Sequence, residues 1–196
     1  MAKKKESSLI NMLLALFVIT AISGGLLGLV YGMTKDTIAE VDAKKNAKAI
    51  AEVLGTDENT RLDTATVGDL FYNLAYDAND NLIGAAIKTY SNSGFNGRIE
   101  LMVGILADGT INAISVLSQS ETPGLGANMV QPKFKDQFNG KNPKSYNLSV
   151  KKDGGDVDAI TAATISSRAF TGAVKLACES FEANKAKFMK GGQNHE

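Results

Sequence analysis

From Leu9 to Met33 the sequence reads LINMLLALFVITAISGGLLGLVYGM, without one charged side chain. At about 1.5 Å per residue, a helix of that length exceeds the roughly 30 Å hydrocarbon core of a bilayer. Two fates are open to such a run: an uncleaved anchor, or the apolar stretch of a cleaved secretory signal. Lys3, Lys4 and Lys5 suit the start of either. The run is longer than the usual apolar stretch of a signal, and no A-x-A-like site follows it closely, so we read it as an anchor. Three lysines precede it, whereas the far flank mixes Lys35, Lys44 and Lys45 with Asp36, Glu40 and Asp42. Basic clusters stay in the cytoplasm, which places the N-terminus there and everything after Met33 outside. Gly24, Gly28 and Gly32 recur every four residues, a spacing that lets a second helix approach closely in lipid.

The remaining composition excludes several classes. Formal net charge is zero, and removing Lys3, Lys4, Lys5 and Glu6 leaves 18 basic and 20 acidic residues, which gives no reason to expect nucleic acid. Cys178 is the only cysteine, so an exported domain would depend on its core and not on an internal disulfide. His195, the only histidine, lies in a polar tail. One histidine and one cysteine make a zinc, haem or iron–sulfur site an unsuitable reading.

Thr34 to Leu54 is predicted helical, with Ile38, Val41, Ile50, Val53 and Leu54 on an apolar stripe and Gly55 as its stop. A polar stretch follows to about Asp69. The period then changes, giving four strands at about 71–77, 82–90, 98–106 and 111–118. The first two flank Asn79-Asp80-Asn81; the last two flank Asp108-Gly109, where a tight primed turn with positive φ at both central positions is expected. Gly94 and Gly97, in SGFNG, lie between the two hairpins. Phe170, Ala173, Val174, Ala177, Cys178 and Phe181 fall on one face of a final helix, which makes Cys178 a small buried thiol. The expected fold is α+β: one N-terminal transmembrane helix, then a domain of β-hairpins closed by a C-terminal amphipathic helix. Its expected parts are a tail over 1–8, the span over 9–33, a helical linker over 34–69, the domain over 70–190 and a polar tail over 191–196.

Ahead of the last helix stands DAITAATISS, residues 158–167, with small and hydroxylated side chains gathered at a helix mouth. Helix starts leave backbone N–H groups unpaired and carry the positive end of the macrodipole, so small residues there admit a phosphate. The same residues also make an ordinary hydroxyl cap, and local chemistry leaves both readings standing. Upstream, ETPGLG from Glu121 to Gly126 places Pro123 and Gly124 where a type II turn needs them.

DAITAATISSRA closely matches the flavinylation motif of the FMN-binding domain family, Asp-x-x-Ser/Thr-Gly/Ala-Ala-Thr. ETPGLG and GFNGRIELMVGI resemble the same family's other landmarks. The order of tail, single span and domain is similar to the G-subunit branch of that family, found in Rnf ion-translocating ferredoxin:NAD⁺ oxidoreductase complexes. The resemblance implies FMN held covalently by a phosphoester to Thr164, with Thr161, Ala162 and Ala163 completing the motif. It implies a flavin transferase during maturation, with Asp158 serving recognition or Mg²⁺-assisted attachment. It makes Glu121, Thr122, Leu125 and Gly126 neighbours of the flavin ring. Lys151 and Lys152 either steady the phosphate or are solvated charges. Ala162 stands where many relatives have glycine, which limits the loop's access to positive φ. The implied role is electron relay within a complex whose other membrane, iron–sulfur and flavin subunits handle both ends of the reaction, since nothing here resembles a NAD-binding fold. The C subunit of a sodium-translocating NADH:quinone reductase shares the motif and is the alternative. A membrane-anchored binding or assembly module without redox chemistry is the other.

Overall fold

The computed structural model describes residues 8–55 and 60–190, so Lys3–Lys5, residues 56–59 of the polar stretch and the tail with His195 lie outside the described residues. The chain divides into two units, Met1–Lys44 and Lys45–Glu196.

The first unit contains most of helix α1, Leu9–Leu54. Its apolar side chains face outward all round; Leu9, Phe17, Leu27 and Met33 are each more than two-thirds exposed. A helix apolar on every side is stable only where lipid or other helices surround it. It is the one helix among the described residues long and apolar enough to cross a membrane. The Thr20 and Thr34 hydroxyls donate back to the Leu16 and Val30 carbonyls, each at 2.9 Å, and so present no unpaired donor to lipid.

The second unit is built on a five-stranded sheet in the order β1-β2-β3-β4-β5. Its strands are β1 (Arg61–Val67), β2 (Leu70–Tyr76), β3 (Leu82–Gly94), β4 (Gly97–Leu106) and β5 (Ile111–Ser118). Every neighbouring pair is antiparallel. Helix α2, Pro132–Lys135, and short 3₁₀ turns lead to α3, Thr164–Lys190. Alternation along the strands sorts side chains onto two faces. Tyr72, Leu74, Ile87, Leu101, Val103 and Ile114 meet Phe170, Val174, Ala177 and Phe181 of α3, all buried. On the opposite face Ala75, Ala86, Met102 and Leu117 meet Ala49, Val53 and Leu54, the last turns of α1. Gly104 makes that second contact possible: a Cβ there would overlap the Val53 carbonyl oxygen and lie 2.7 Å from its carbon. Asn112 Nδ2 donates to the same carbonyl at 2.8 Å, capping the helix end.

Two local expectations change. Residues 61–67, read as a polar stretch, form the edge strand β1. Its threonines and alanine give little hydrophobic alternation, and none of its residues is fully buried, so the period-2 signal is weak. At Asp108-Gly109 only Gly109 has positive φ, 93°. Gly109 N–H donates to the Leu106 carbonyl at 2.8 Å, and Leu106 N–H donates to Thr110 O at 2.8 Å, so the turn centres on Ala107-Asp108 with Gly109 added. The Asp108 carboxylate stabilises that form by accepting from Thr110 N–H at 2.8 Å, which holds its acid below the usual range. Likewise, Gly94 and Gly97 close a third hairpin, β3–β4, and the sheet is one continuous meander.

Cys178 is buried as its stripe predicts, and burial pushes its thiol up to about 12. At pH 8 that leaves a thiolate fraction of about one in ten thousand, against about one in ten for a thiol of pKa 9. Alkylation by a maleimide, followed by mass, should therefore be at least about a hundredfold slower in the folded chain than in denaturant.

Candidate functional site

Helix α3 begins at Thr164, and Ser167 N–H makes the first helical bond to the Ala163 carbonyl at 3.0 Å. Ala163 therefore holds the capping position. An alanine has no oxygen to return to the N–H groups of Thr164, Ile165 and Ser166, so the hydroxyl-cap reading does not describe this helix. The hydroxyls work elsewhere. Ser167 Oγ accepts from Ile160 N–H and donates to the Ala163 carbonyl, both at 2.9 Å. Ser166 Oγ donates to Glu121 Oε2 at 2.6 Å. Thr161 is exposed.

That leaves Thr164, half-buried, with its Oγ1 facing Lys152 Nζ at 3.3 Å. Lys152 sits on the single 3₁₀ turn Lys151–Asp153, and its neighbours are occupied. Lys151 pairs with Asp158 at 2.8 Å, a hydrogen bond that raises the lysine's pKa. Asp153 accepts two bonds from Arg168, both at 2.7 Å, which hold its carboxyl below the ordinary range. Lys152 forms no salt bridge among the described residues; its charge acts on Asp153 nearby, and its Nζ donates to the Thr164 hydroxyl.

Beside Thr164 opens a cleft of about 320 Å³, lined by Phe95, Glu121, Thr122, Leu125, Gly126 and residues Ala162 to Ser166. Three loops build it. The β3–β4 hairpin carries Phe95, 66% exposed despite its size. The Thr122-Pro123-Gly124-Leu125 turn is the type II turn expected, with Leu125 N–H donating to the Thr122 carbonyl at 3.1 Å and Gly124 at φ 78°. The third is the start of α3. Glu121 ties them together from behind: it is buried, and accepts from Asn96 N–H at 3.1 Å as well as from Ser166. Gly126 makes room for it, since a Cβ there would lie 2.6 Å from Glu121 Oε2.

Of the residues expected from the sequence, the structure brings Glu121, Thr122, Leu125, Gly126, Ala162, Ala163 and Thr164 to one cleft, with Lys152 at its edge. It keeps Asp158, Lys151 and Thr161 off the lining. Phe95 and Ile165 are additions; a large apolar side chain between two glycines at a hairpin tip is the available signal for Phe95. A larger cleft, about 570 Å³, lies between Tyr146, Leu148, Cys178 and Phe181, and no residue from 158 to 167 lines it.

Ala162 takes φ 58°, the left-handed region where its Cβ is strained by about 1–2 kcal/mol. Glycine removes that strain but gives up about 0.5–1 kcal/mol of chain entropy. Ala162→Gly should therefore stabilise the domain by about 0.5 kcal/mol in denaturant unfolding, and Ala162→Val should destabilise it.

The cleft is walled mainly by apolar side chains and lies beside the start of α3, where Lys152 reaches the Thr164 hydroxyl. The FMN-binding domain family model matches residues 94–179, a stretch that carries every residue lining the cleft, and the second unit is an FMN-binding domain. The G subunit of the Na⁺-translocating ferredoxin:NAD⁺ oxidoreductase complex of Acetobacterium woodii is 32% identical, covering 86% of this chain and 89% of the relative. The G subunit of the ion-translocating oxidoreductase complex of Methanosarcina acetivorans is 31% identical, covering 94% of this chain and 100% of its own length. The chain belongs to the family of G subunits of ion-translocating oxidoreductase complexes. Among solved structures, the C subunit of the Na⁺-translocating NADH-quinone reductase from Parabacteroides distasonis matches with TM-score 0.53 and 18% identity, over 80% of this chain and 96% of that one. That likeness is one of fold.

Proposed function

We propose that this chain is the electron-relay subunit of a membrane-bound ion-translocating ferredoxin:NAD⁺ oxidoreductase complex, carrying FMN as a phosphoester on Thr164. The observation that carries the reading is the placement of one hydroxyl, Thr164 Oγ1, at the first residue of α3, against the Lys152 ammonium and on the lining of an apolar cleft. When bound, FMN supplies reversible one- and two-electron chemistry. The chain's residues divide the work of holding it. Lys152 and the first N–H groups of α3 offset the phosphate's remaining charge. Phe95, Leu125 and Ile165 offer apolar surface to the ring and exclude water from it. Glu121 keeps the three loops in register.

Attachment forms a bond from Thr164 Oγ to phosphorus while the P–O bond to a leaving group breaks in an activated flavin dinucleotide. A nucleoside monophosphate departs with the electron pair, and the hydroxyl proton passes to a base of the flavin transferase. A covalent link keeps the cofactor where free flavin would be diluted away. We also place the N-terminus in the cytoplasm and the domain outside, from the basic cluster ahead of the span. Protease added to intact cells should then cut the domain and spare the N-terminus; the reverse pattern overturns the orientation. The remaining membrane, iron–sulfur and flavin subunits supply the donor and acceptor.

The decisive measurement is intact mass of the chain purified from its native complex. One flavin nucleotide of added mass, with a fluorescent band on a denaturing gel, is expected. A mass equal to the bare polypeptide removes the covalent relay and leaves a membrane-anchored binding module.

A further inference from the structure

Gln137 lies well outside the motif, on the 3₁₀ turn Asp136–Phe138, yet its amide makes both backbone hydrogen bonds of Asp158. Asp158 N–H donates to Gln137 Oε1 at 2.8 Å, and Gln137 Nε2 donates to the Asp158 carbonyl at 3.2 Å. The side chain thus stands in for a neighbouring β-strand, which would supply the same pair of bonds. Nε2 also reaches the Phe134 carbonyl at 3.1 Å. The backbone that carries Gln137 is itself anchored, because Phe138 and Phe134 are buried and pack on Phe170 of α3. The reference frame for residue 158 is therefore the same helix whose first residue is Thr164. At the other end Ser167 secures Ile160 and Ala163. Ala162 sits inside this second clamp, between Ile160 and Ala163, in a conformation an L-residue avoids.

We propose that Gln137 is a positioning residue for flavin attachment: by holding the backbone of Asp158 it keeps the 158–163 segment in the shape that presents Thr164 Oγ1 to the transferase. This rests on the covalent reading above. Losing the Gln137 bonds removes these partners of the Asp158 backbone while its carboxylate stays paired with Lys151, so the segment loosens at residue 158 and the population of the competent shape falls. A partner that binds only that shape sees its apparent dissociation constant divided by the fraction remaining, so its affinity falls in proportion. Gln137 bonds neither Thr164 nor Lys152, so the rate at saturation is untouched.

The test uses the full chain in detergent, produced without transferase, then treated with purified flavin transferase, flavin adenine dinucleotide and Mg²⁺. Attachment is followed by intact mass at varied chain concentration. Gln137→Leu, which keeps bulk and removes both bonds, should raise KM for the chain about tenfold with kcat within about twofold. Gln137→Glu retains an acceptor for Asp158 N–H but sets a carboxylate oxygen against the Asp158 and Phe134 carbonyls, so it too should raise KM. Hydrogen exchange at the amides of 158–164 should rise in both variants, while thermal unfolding stays cooperative. A leucine variant with the wild-type KM, or one that loses kcat at unchanged KM, overturns the proposal. If leucine abolishes cooperative unfolding, the glutamate variant is held to the same criteria. Wild-type chain that takes up no flavin overturns the covalent reading itself, a different result from equal rates in wild type and variant.

Discussion

Thr164→Val is expected to yield a folded chain that carries no covalent flavin under conditions where the wild type is fully modified. Valine matches threonine in shape and replaces the hydroxyl with a methyl group, so the atom that would bond to phosphorus is gone while packing is preserved. The lost polar contact is the 3.3 Å one from Lys152, at a half-buried position, so stability should change by less than about 1 kcal/mol. Attachment is thus separated from folding. Thr164→Ser keeps an oxygen at the same place and should remain modifiable. Fluorescence of the denatured band and intact mass read both outcomes. Thr161 supplies the internal control, since it is the other threonine of the motif and lies exposed off the cleft. Thr161→Val should leave the band unchanged; a band that survives Thr164→Val and disappears with Thr161→Val would move the ester from residue 164 to residue 161.

Gly104→Ala should cause the largest loss of stability. The added methyl overlaps the Val53 carbonyl oxygen and comes within 2.9 Å of Val53 Cβ, so the new group meets backbone and a β-branched side chain that cannot rotate away. Overpacking of this kind costs about 1–3 kcal/mol. Pushing the last turn of α1 off the sheet also breaks the Asn112–Val53 bond, for about 1 kcal/mol more. Together these predict a loss of about 3 kcal/mol in denaturant unfolding. Limited proteolysis should show new cleavage between residues 45 and 60 as the helix end frees itself. Unchanged stability with the same protease pattern as wild type would mean that this face of the sheet has room for a methyl group.

Residues that carry local signals are readable from the sequence alone. The C-terminal stripe of Phe170, Val174 and Phe181 is buried as its period requires, because a 3.6-residue apolar repeat has one way to satisfy itself against a sheet. The Pro-Gly turn forms as written, since those two residues narrow φ before any tertiary contact exists. β1 is hidden, being an edge strand with little side-chain burial to imprint a pattern. The turn at Asp108 departs from the primed form because a side-chain acceptor, two residues from its target, outweighs the dipeptide's own preference.

Chemistry divides along the same line. The DAITAAT motif, the apolar span and the scarcity of cysteine and histidine are matters of residue type and spacing along the chain. Which lysine faces Thr164, what Glu121 binds, and how Gln137 reaches Asp158 depend on contacts between segments far apart in sequence. Lys151 and Lys152 are adjacent and chemically identical, so no pattern in one dimension can tell them apart. Packing does so, by giving Asp158 to one and leaving the other beside the hydroxyl.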